Sequence, residues 1–273
     1  MTDALSRRLV PDELWALVEP LLPKFSVRRQ GGGTAPTDER AVFTAVVYVL
    51  TSGCAWRMLP SSLGVTAPTA HRGFTAWTEA GLWRQLQMAV LDELGSQGLL
   101  DWSRVVVDGA SVRAKRGPMT GPNPVDRGRS GSKIHVLSDR HGIPITVAVS
   151  AANTPDADAL GPLVRAIPAV RSRRGPRRRS PGKLHADKAY DHHELRRWVA
   201  ECGIGVRIAR KSVESSERLG RHRWMIERTM SWLTGYHRLS IRDDRKDTHF
   251  CAFLTLAGAL TGYKKLTKAR STA

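Results

Sequence analysis

Cysteine is scarce in this chain of 273 residues. It occurs only at Cys54, Cys202 and Cys251, which are far apart and odd in number. Since no CxxC pair is present, the sequence offers neither the thiolate pairs of a zinc site nor a disulfide framework. We therefore expect a reduced, cytoplasmic protein in which the cysteines fill the core.

Long apolar runs are missing as well. The most apolar stretch, residues 250–260, is about half as long as a membrane-spanning helix requires. The first residues, MTDALSRRLVPDELW, contain no apolar signal core. We therefore expect no membrane partner.

Acidic residues are outnumbered by basic ones. The 25 Asp and Glu residues stand against 43 Lys and Arg residues, which leaves a formal charge of +18. Such a charge attracts polyanions and speeds their capture, which indicates a nucleic-acid partner. A basic ribosomal or structural protein is the alternative, but such proteins are usually shorter and poorer in tryptophan than this chain, which has eight.

The first hundred residues predict an all-α domain over residues 1–98. Apolar stripes and capping residues predict helices over 11–22, 41–52 (with Thr37 as N-cap), 69–81 and 82–94, followed by a linker at 95–98. A turn at 54–60 precedes a helix carrying His71, Arg72 and Thr75, which suggests a helix-turn-helix whose second helix enters a major groove. An ordinary helical bundle fits the same pattern, and only the net charge favours DNA.

From residue 104 onward the pattern changes to short β-branched segments. We predict strands over 104–107, 133–138, 143–149, 184–189 and 206–209, and helices over 156–170, 194–202, 220–239 and 248–268. Three early antiparallel strands followed by alternating helices and strands predict an α/β fold with a mixed sheet over residues 99–273.

Three carboxylates in this second part suit a metal site. Asp108 follows an apolar strand, Asp187 lies in the short segment LHADKAY, and Glu227 lies on a helix. Each has an ordinary explanation by itself: a turn for Asp108, a helix N-cap or half of an ion pair for Asp187, and for Glu227 a salt bridge to Arg223 one helical turn earlier. Together they offer the hard oxygen ligands that Mg²⁺ prefers. Two such ions can drive an in-line phosphoryl displacement.

The order Asp108, Asp187, Glu227 resembles the DDE motif of bacterial insertion-sequence transposases, and in particular the group named after insertion sequence five. The resemblance covers nearly the whole chain. In the N-terminal part it rests on LVPDELWALVEPLLP, AVVYVLTSGCAWRMLP and HRGFTAWTEAGLW, and in the C-terminal part on VVVDGASVRAKRG, NPVDRGRSGSKIHVLSDRHGIPI, ADKAYD and RWMIERTMSWL.

This resemblance implies a ribonuclease-H-like catalytic domain in which the three carboxylates bind Mg²⁺, or Mn²⁺ as the alternative. It also implies that Arg223 contacts a DNA phosphate. Two positions depart from the family pattern: Gly220 stands in place of a tyrosine, and Thr234 in place of a lysine or arginine. We expect Arg238, one turn later, to substitute for the second.

Further DNA contacts are expected from basic residues. Lys133, His135 and Lys188 are candidate phosphate contacts near the metals, although packed or solvated roles fit each equally well. The basic loop 171–183, which includes Arg177 and Arg178, is either a phosphate clamp or a solvated loop.

The expected function is transposition: binding to terminal inverted repeats in double-stranded DNA, cleavage, and joining of 3′-hydroxyl ends to target DNA. A homodimer or higher oligomer is expected on DNA, because two element ends must be paired, and the protein is expected in the nucleoid. The alternatives are a nuclease or resolvase of the same fold that cuts without joining, and a DNA-binding protein with a defunct catalytic domain.

Overall fold

The described part of the N-terminal hundred residues is helical. The computed structural model describes residues 2–24, 37–211 and 216–271, and the side chains of residues 4–24, 37–211 and 224–271. The α-helices of this part are α1 (Thr2–Leu9), α2 (Asp12–Val18), α3 (Glu39–Ser52), α4 (Ala67–Glu79) and α5 (Leu82–Ser96).

The N-cap of helix α3 lies one residue later than predicted. Asp38, not Thr37, is the N-cap, and its side chain accepts hydrogen bonds from the backbone N–H groups of Arg40 (2.9 Å) and Ala41 (3.3 Å). The helix ends at Ser52 and is capped by Gly53, whose φ of 70° is the left-handed conformation that glycine adopts without steric cost.

The turn expected at residues 54–60 is part of a longer connection between α3 and α4, and the helix-turn-helix remains a prediction. The connection between α3 and α4 spans residues 53–66 and contains two 3₁₀ turns, Trp56–Met58 and Ser61–Leu63. A helix-turn-helix turn has about three or four residues.

The linker expected at residues 95–98 is wrong over its first half, because α5 continues to Ser96 and only the last two residues form a turn. Gly95 is buried and lies against the backbone carbonyl of Arg171, so closely that a Cβ atom would collide with it. This glycine permits close packing and does not provide a flexible joint.

The C-terminal part contains a mixed β-sheet, as predicted. Its strands are β1 (Val105–Ala114), β2 (Gly121–Pro122), β3 (Ser130–Asp139), β4 (Pro144–Ala151), β5 (Lys183–Ala186), β6 (Gly205–Ile208) and β7 (Ile241–Arg242). The main path runs β4-β3-β1-β5-β6, in which β3 is antiparallel to β4 and β1, and β5 is parallel to β1 and β6. The short strands β2 and β7 pair with β3 and β1.

Strand β1 is longer than predicted, and this changes the setting of Asp108. The strand does not end at Val107, because β3 pairs with it from Val105 to Arg113. Strand β5 pairs with only Val105 and Val106 on the other edge. Asp108 therefore lies in the middle of β1, at the first positions where β1 is still paired with β3 but no longer with β5.

Four more helices complete the described fold: α6 (Asp156–Arg165), α7 (His193–Glu201), α8 (Ser216–Thr234) and α9 (Asp247–Arg270). Helix α6 packs on β4, where the Thr146 hydroxyl donates to the Leu163 carbonyl (3.2 Å). It also reaches α7, because the Arg165 guanidinium lies 5.2 Å from the Trp198 ring centroid. None of the helices among the described residues has the length and apolar character needed to cross a membrane.

Helix α9 joins the N-terminal helices to the sheet. Phe253 of α9 stacks on Phe74 of α4 with ring centroids 4.4 Å apart. A Cβ atom at Gly262 would lie 3.0 Å from Val90 of α5 and 4.0 Å from Ile143 beside β4. The buried apolar residues of both parts consequently form one continuous core. The division at residues 98 and 99 remains a prediction.

Candidate active site

Asp108 and Asp187 occupy matching positions on neighbouring strands. In the parallel pair of β1 and β5, Val105 lies opposite Leu184 and Val106 opposite His185. The same register carried two residues further places Asp108 opposite Asp187, which has an extended ψ of −179°. Since neighbouring strands are about 4.8 Å apart and alternate side chains share a face, the two carboxylates stand side by side on one face of the sheet.

Backbone hydrogen bonds orient both aspartates. One Asp108 oxygen accepts from the Gly109 N–H at 2.8 Å. One Asp187 oxygen accepts from the Ala189 N–H at 2.8 Å, which caps the 3₁₀ turn Lys188–Tyr190. Both side chains line a cavity of about 740 Å³. The strand predicted over 184–189 thus ends earlier, at Ala186, and Asp187 begins the turn that follows it.

Glu227 lies on α8 beside this cavity. Its neighbour Ile226 is 1% exposed and lines the cavity, whereas Glu227 itself is exposed. Among the described residues, no group of three His, Cys, Asp or Glu side chains is placed to hold one metal ion. The structure therefore brings Asp108 and Asp187 together but does not gather all three carboxylates. The side chain of Arg223 lies outside the described part of the chain, and of Gly220 only the helical backbone is described.

The surroundings of the two aspartates suit a divalent cation. Carboxylate oxygens are the ligands that hard cations prefer. Tyr190, which is 1% exposed, has a hydroxyl without a hydrogen-bond partner among the described residues. Burial raises the pKa of this phenol, and the charges of Asp156, Asp108 and Asp187 raise it further. The charges of Asp108 and Asp187 thus act on the same buried phenol, and a bound cation would offset them.

Lys133 and His135 lie on the opposite face of the sheet from Asp108. They pair with Ser111 and Gly109 of β1, and alternate residues of a strand point to opposite faces. The expectation that both contact phosphate near the metals overlooked this alternation.

His135 is fully buried, so a direct phosphate contact is wrong. Its Nε2 lies 2.7 Å from the Ser150 hydroxyl, and its Nδ1 lies 3.9 Å from Asp156. Burial lowers the pKa of His135 to about 4, against the opposing charge of Asp156. Lys133 is 12% exposed, donates to the Thr154 carbonyl at 2.8 Å and lies 3.0 Å from Asp156. Lys133 therefore holds the start of α6, whereas His135 is bonded to β4.

Arg238 does not substitute for a DNA contact either. Helix α8 ends at Thr234, so Arg238 lies in the following 3₁₀ turn, His237–Leu239, where it is 5% exposed. Its guanidinium donates to both oxygens of Asp244 (3.0 and 2.7 Å) and to the Cys54 carbonyl (3.1 Å). The expectation is wrong because this cation is buried and already paired.

The basic loop is fastened to α5 by Arg177. This guanidinium donates twice to Asp92, at 2.9 Å each, and once to the Ala169 carbonyl at 2.6 Å. Arg178 is exposed, while its backbone pairs with that of Val170. A phosphate contact from Arg177 would have to compete with its ion pair, whereas Arg178 remains a candidate.

Three further candidates keep their status as predictions. Lys188 is exposed directly after Asp187. On α4, Arg72 is exposed, and half-buried His71 packs edge-on against Trp56 with ring centroids 5.2 Å apart.

Several cations that were not predicted as site residues line the same cavity as Asp108 and Asp187. They are Arg104, Arg140, His185, Arg196, Arg207 and Arg210, and the cavity is also lined by Lys183, the last residue of the basic loop. Some of these cations could have been predicted from the alternation of charged and apolar residues in KLHAD (183–187) and VRIAR (206–210). This period of two marks one polar and one buried face of a strand.

Two family models match this chain. Residues 96–261 match the family described as "Transposase DDE domain". Residues 10–87 match the family described as "Putative transposase of IS4/5 family".

Two curated proteins from Burkholderia cepacia are similar in sequence. The "Putative transposase for insertion sequence element IS402" is 40% identical over 152 residues, which are 56% of this chain and 72% of that protein. The "Insertion element IS402 uncharacterized 16.2 kDa protein" is 38% identical over 112 residues, which are 40% of this chain and 76% of that protein.

A solved structure titled "Mos1 transposase paired-end complex with left transposon end" shares 13% identity, with 90% of this chain and 83% of that chain covered. Its TM-score of 0.27 is too low to bear on the fold. The fold is defined instead by the mixed sheet and by the family match over residues 96–261.

Proposed function

This chain belongs to the DDE transposase family of bacterial insertion sequences, and on that premise we propose that it binds the terminal inverted repeats of its element, cleaves there, and joins the freed 3′-hydroxyl ends to target DNA. As a member of this family it is a transposase with a ribonuclease-H-like catalytic domain. The steps of cleavage and strand transfer are the part that we propose.

The matching positions of Asp108 and Asp187 on adjacent parallel strands carry this proposal. Asp108 and Asp187 are held by backbone hydrogen bonds on one face of the sheet, and together they form a rigid cation-binding site. DDE domains use divalent metals, and we propose Mg²⁺ here, with Mn²⁺ as the alternative. When bound, such an ion lowers the pKa of the attacking water and stabilises charge on the leaving oxygen.

Glu227 is proposed as the third carboxylate. It follows Ile226, which lines the cavity, and it lies on the same helix as Arg223. We propose that its side chain joins the two aspartates when metal and DNA are bound, because the cation offsets the repulsion between three carboxylates.

The DNA partner and the assembly are further parts of the proposal. Exposed Arg72 on α4 is suited to contact the terminal repeats, and exposed Arg178 and Lys188 are suited to contact phosphates. The net charge of +18 supports binding to double-stranded DNA. Two copies of the chain are proposed to act together, one at each element end, on the cell's nucleoid.

The proposal is tested by a strand-transfer assay with Mg²⁺ and a DNA duplex that carries the element's own end. We expect Asp108→Asn, Asp187→Asn and Glu227→Gln each to lose at least about 100-fold in rate, the scale of losing one preorganised electrostatic group. Asp158→Asn and Glu194→Gln remove exposed carboxylates from α6 and α7 and serve as matched controls with unchanged rates.

The outcomes separate the alternatives. Joined products from the wild type and the controls alone support transposition. Cleaved but unjoined DNA from the wild type would favour a nuclease or resolvase, and binding without cleavage would favour a DNA-binding protein. Substituted proteins that matched the wild type would exclude the carboxylate triad.

A further inference from the structure

One face of the parallel strands is charged where such strands are usually apolar. Parallel strands are normally covered on both faces and therefore consist of nearly continuous apolar residues. In β5, however, exposed Lys183 and half-exposed His185 alternate with buried Leu184 and Ala186. In β6, Arg207 is exposed next to buried Ile208. One face of β5 and β6 thus packs against the core, and the other face presents charged side chains that suit a polar partner.

The strand register places these cations on the same face as the two aspartates. His185 lies opposite Arg207 in β6 and opposite Val106 in β1. Arg104 directly precedes β1, and the same register places it opposite Lys183. Arg140 enters from the turn between β3 and β4 and lines the same cavity. We call Arg104, Arg140, Lys183 and Arg207 the basic face.

Arg104 and Arg140 are neighbouring like charges near one shared anion, Asp101. Burial lowers the pKa of Arg104 and the charge of Arg140 lowers it further, while the charge of Asp101 opposes this shift without cancelling it. The Arg104 Nε is a buried donor without an acceptor among the described residues. Asp101 lies 3.4 Å from Arg140 and provides only part of the compensation. A phosphate oxygen would accept from Arg104 and relieve the repulsion between the two cations.

The basic face leads directly to the carboxylates. Arg104 precedes Asp108 by four residues, as Lys183 precedes Asp187, and this separation spans roughly 13 Å along a strand. Consecutive phosphates of one strand in a duplex are about 3.4 Å apart along the axis. A backbone passing from the carboxylates to Arg104 and Lys183 would therefore cover at most about four nucleotides.

We propose that the DNA strand cleaved at Asp108 and Asp187 continues along the basic face, where Arg104, Lys183 and Arg207 bind its backbone phosphates and Arg140 closes on the phosphate beside Arg104. The inference rests on the proposed function, because it takes the cavity to be the site of DNA cleavage. It adds the path and direction of the strand, which run from the aspartates toward the start of β1 and β5.

The first test is the salt dependence of DNA binding. A fluorescent duplex that carries one element end is titrated with the wild type, with Arg104→Gln, Lys183→Gln and Arg207→Gln, and with the triple variant. Each lost phosphate contact should reduce the slope of log K against log salt by about 0.9, and the triple variant by about 2.7. Arg197→Gln removes an equally exposed arginine from α7, which covers the opposite face of the sheet, and should leave the slope unchanged.

The second test locates the phosphates. Neutral methylphosphonates are placed one at a time along the cleaved strand. Those within about four nucleotides of the cleaved position should weaken binding by the wild type, and one of them should have no further effect on Arg104→Gln. Thermal unfolding of each variant confirms that the fold is retained.

An unchanged slope in the triple variant, an equal loss in Arg197→Gln, or sensitive phosphates only outside this window would overturn the path. These binding measurements need no catalysis. A wild type that binds with the expected slope but neither cuts nor joins DNA would therefore reject the proposed function and leave the basic face standing as a binding surface.

Discussion

The buried ion pair of Arg238 and Asp244 offers a sharp test of the structure. The side chains are 5% and 6% exposed, and two hydrogen bonds of 3.0 and 2.7 Å join them. Arg238→Met keeps an apolar stem of similar length but removes the cation. It leaves the Asp244 carboxylate buried without its partner and the Cys54 carbonyl without its 3.1 Å donor.

The magnitude follows from this geometry. Removing one member of a buried ion pair costs about 3–5 kcal/mol, because the remaining charge is uncompensated. With a urea dependence of about 3 kcal/mol per molar, the upper end of the range for small proteins, the urea midpoint should fall by roughly 1–1.7 M. Replacing both partners, in Arg238→Met/Asp244→Leu, should restore much of this loss, since no buried charge is then left alone.

The assay is urea unfolding followed by tryptophan fluorescence, together with the salt slope of DNA binding. We expect a lower urea midpoint and an unchanged salt slope for Arg238→Met. A midpoint like that of the wild type, together with a slope reduced by about 0.9, would refute the reasoning. Arg238 would then contact DNA and would not stabilise the fold.

Three further predictions concern stability. The pKa of His135 is about 4 in the folded protein and 6.5 ordinarily, so the unfolded chain takes up the proton first. The free energy of unfolding should fall by about 3 kcal/mol between pH 6.5 and 4, and His135→Gln should abolish this part of the pH dependence in urea titrations. Phe74→Ala removes a fully buried ring stacked on Phe253 and should cost about 3–5 kcal/mol in the same assay; a loss below about 1 kcal/mol would contradict the shared aromatic core. Gly95→Ala should lower the thermal midpoint, because the new Cβ meets the Arg171 carbonyl, whereas Gly161→Ala in α6 meets only the flexible Arg165 side chain and should not.

Local sequence patterns predicted the helices and the class of the sheet because their signals lie within a few residues. The apolar periodicity of α3 to α5 and the glycine after α3 are of this kind. The same local signals misled at Asp108, where Asp-Gly is typical of a turn. Pairing with β3 along the whole of β1 overrides that preference.

The site depends on contacts between distant segments, which local patterns do not reveal. The side-by-side placement of Asp108 and Asp187 requires the parallel register of β1 and β5. Lys133 and His135 lie on the opposite face of the sheet from Asp108, and this could be predicted only from the register of β1 and β3. Sequence analysis found the carboxylates through their order in a family motif, but it assigned nearby basic residues to the site without knowing their face of the sheet.

The position of Glu227 follows from how α8 is fastened. Two residues later, the Thr229 hydroxyl donates to the Gly142 carbonyl at 2.8 Å, and Arg228 donates to the His141 carbonyl at 3.0 Å. Leu233 is fully buried further along the helix. These contacts fix the helix from residue 228 onward to the turn between β3 and β4.

For the proposed triad to form, Glu227 would have to approach the aspartates by a change in its own side chain or in the part of α8 that precedes it. A third carboxylate beside two others is unfavourable until a cation offsets the charge. If the three carboxylates come together only when metal and DNA are bound, Asp108 and Asp187 remain accessible to a cation in the free protein. This would also couple completion of the site to the arrival of the strand that we place along the basic face.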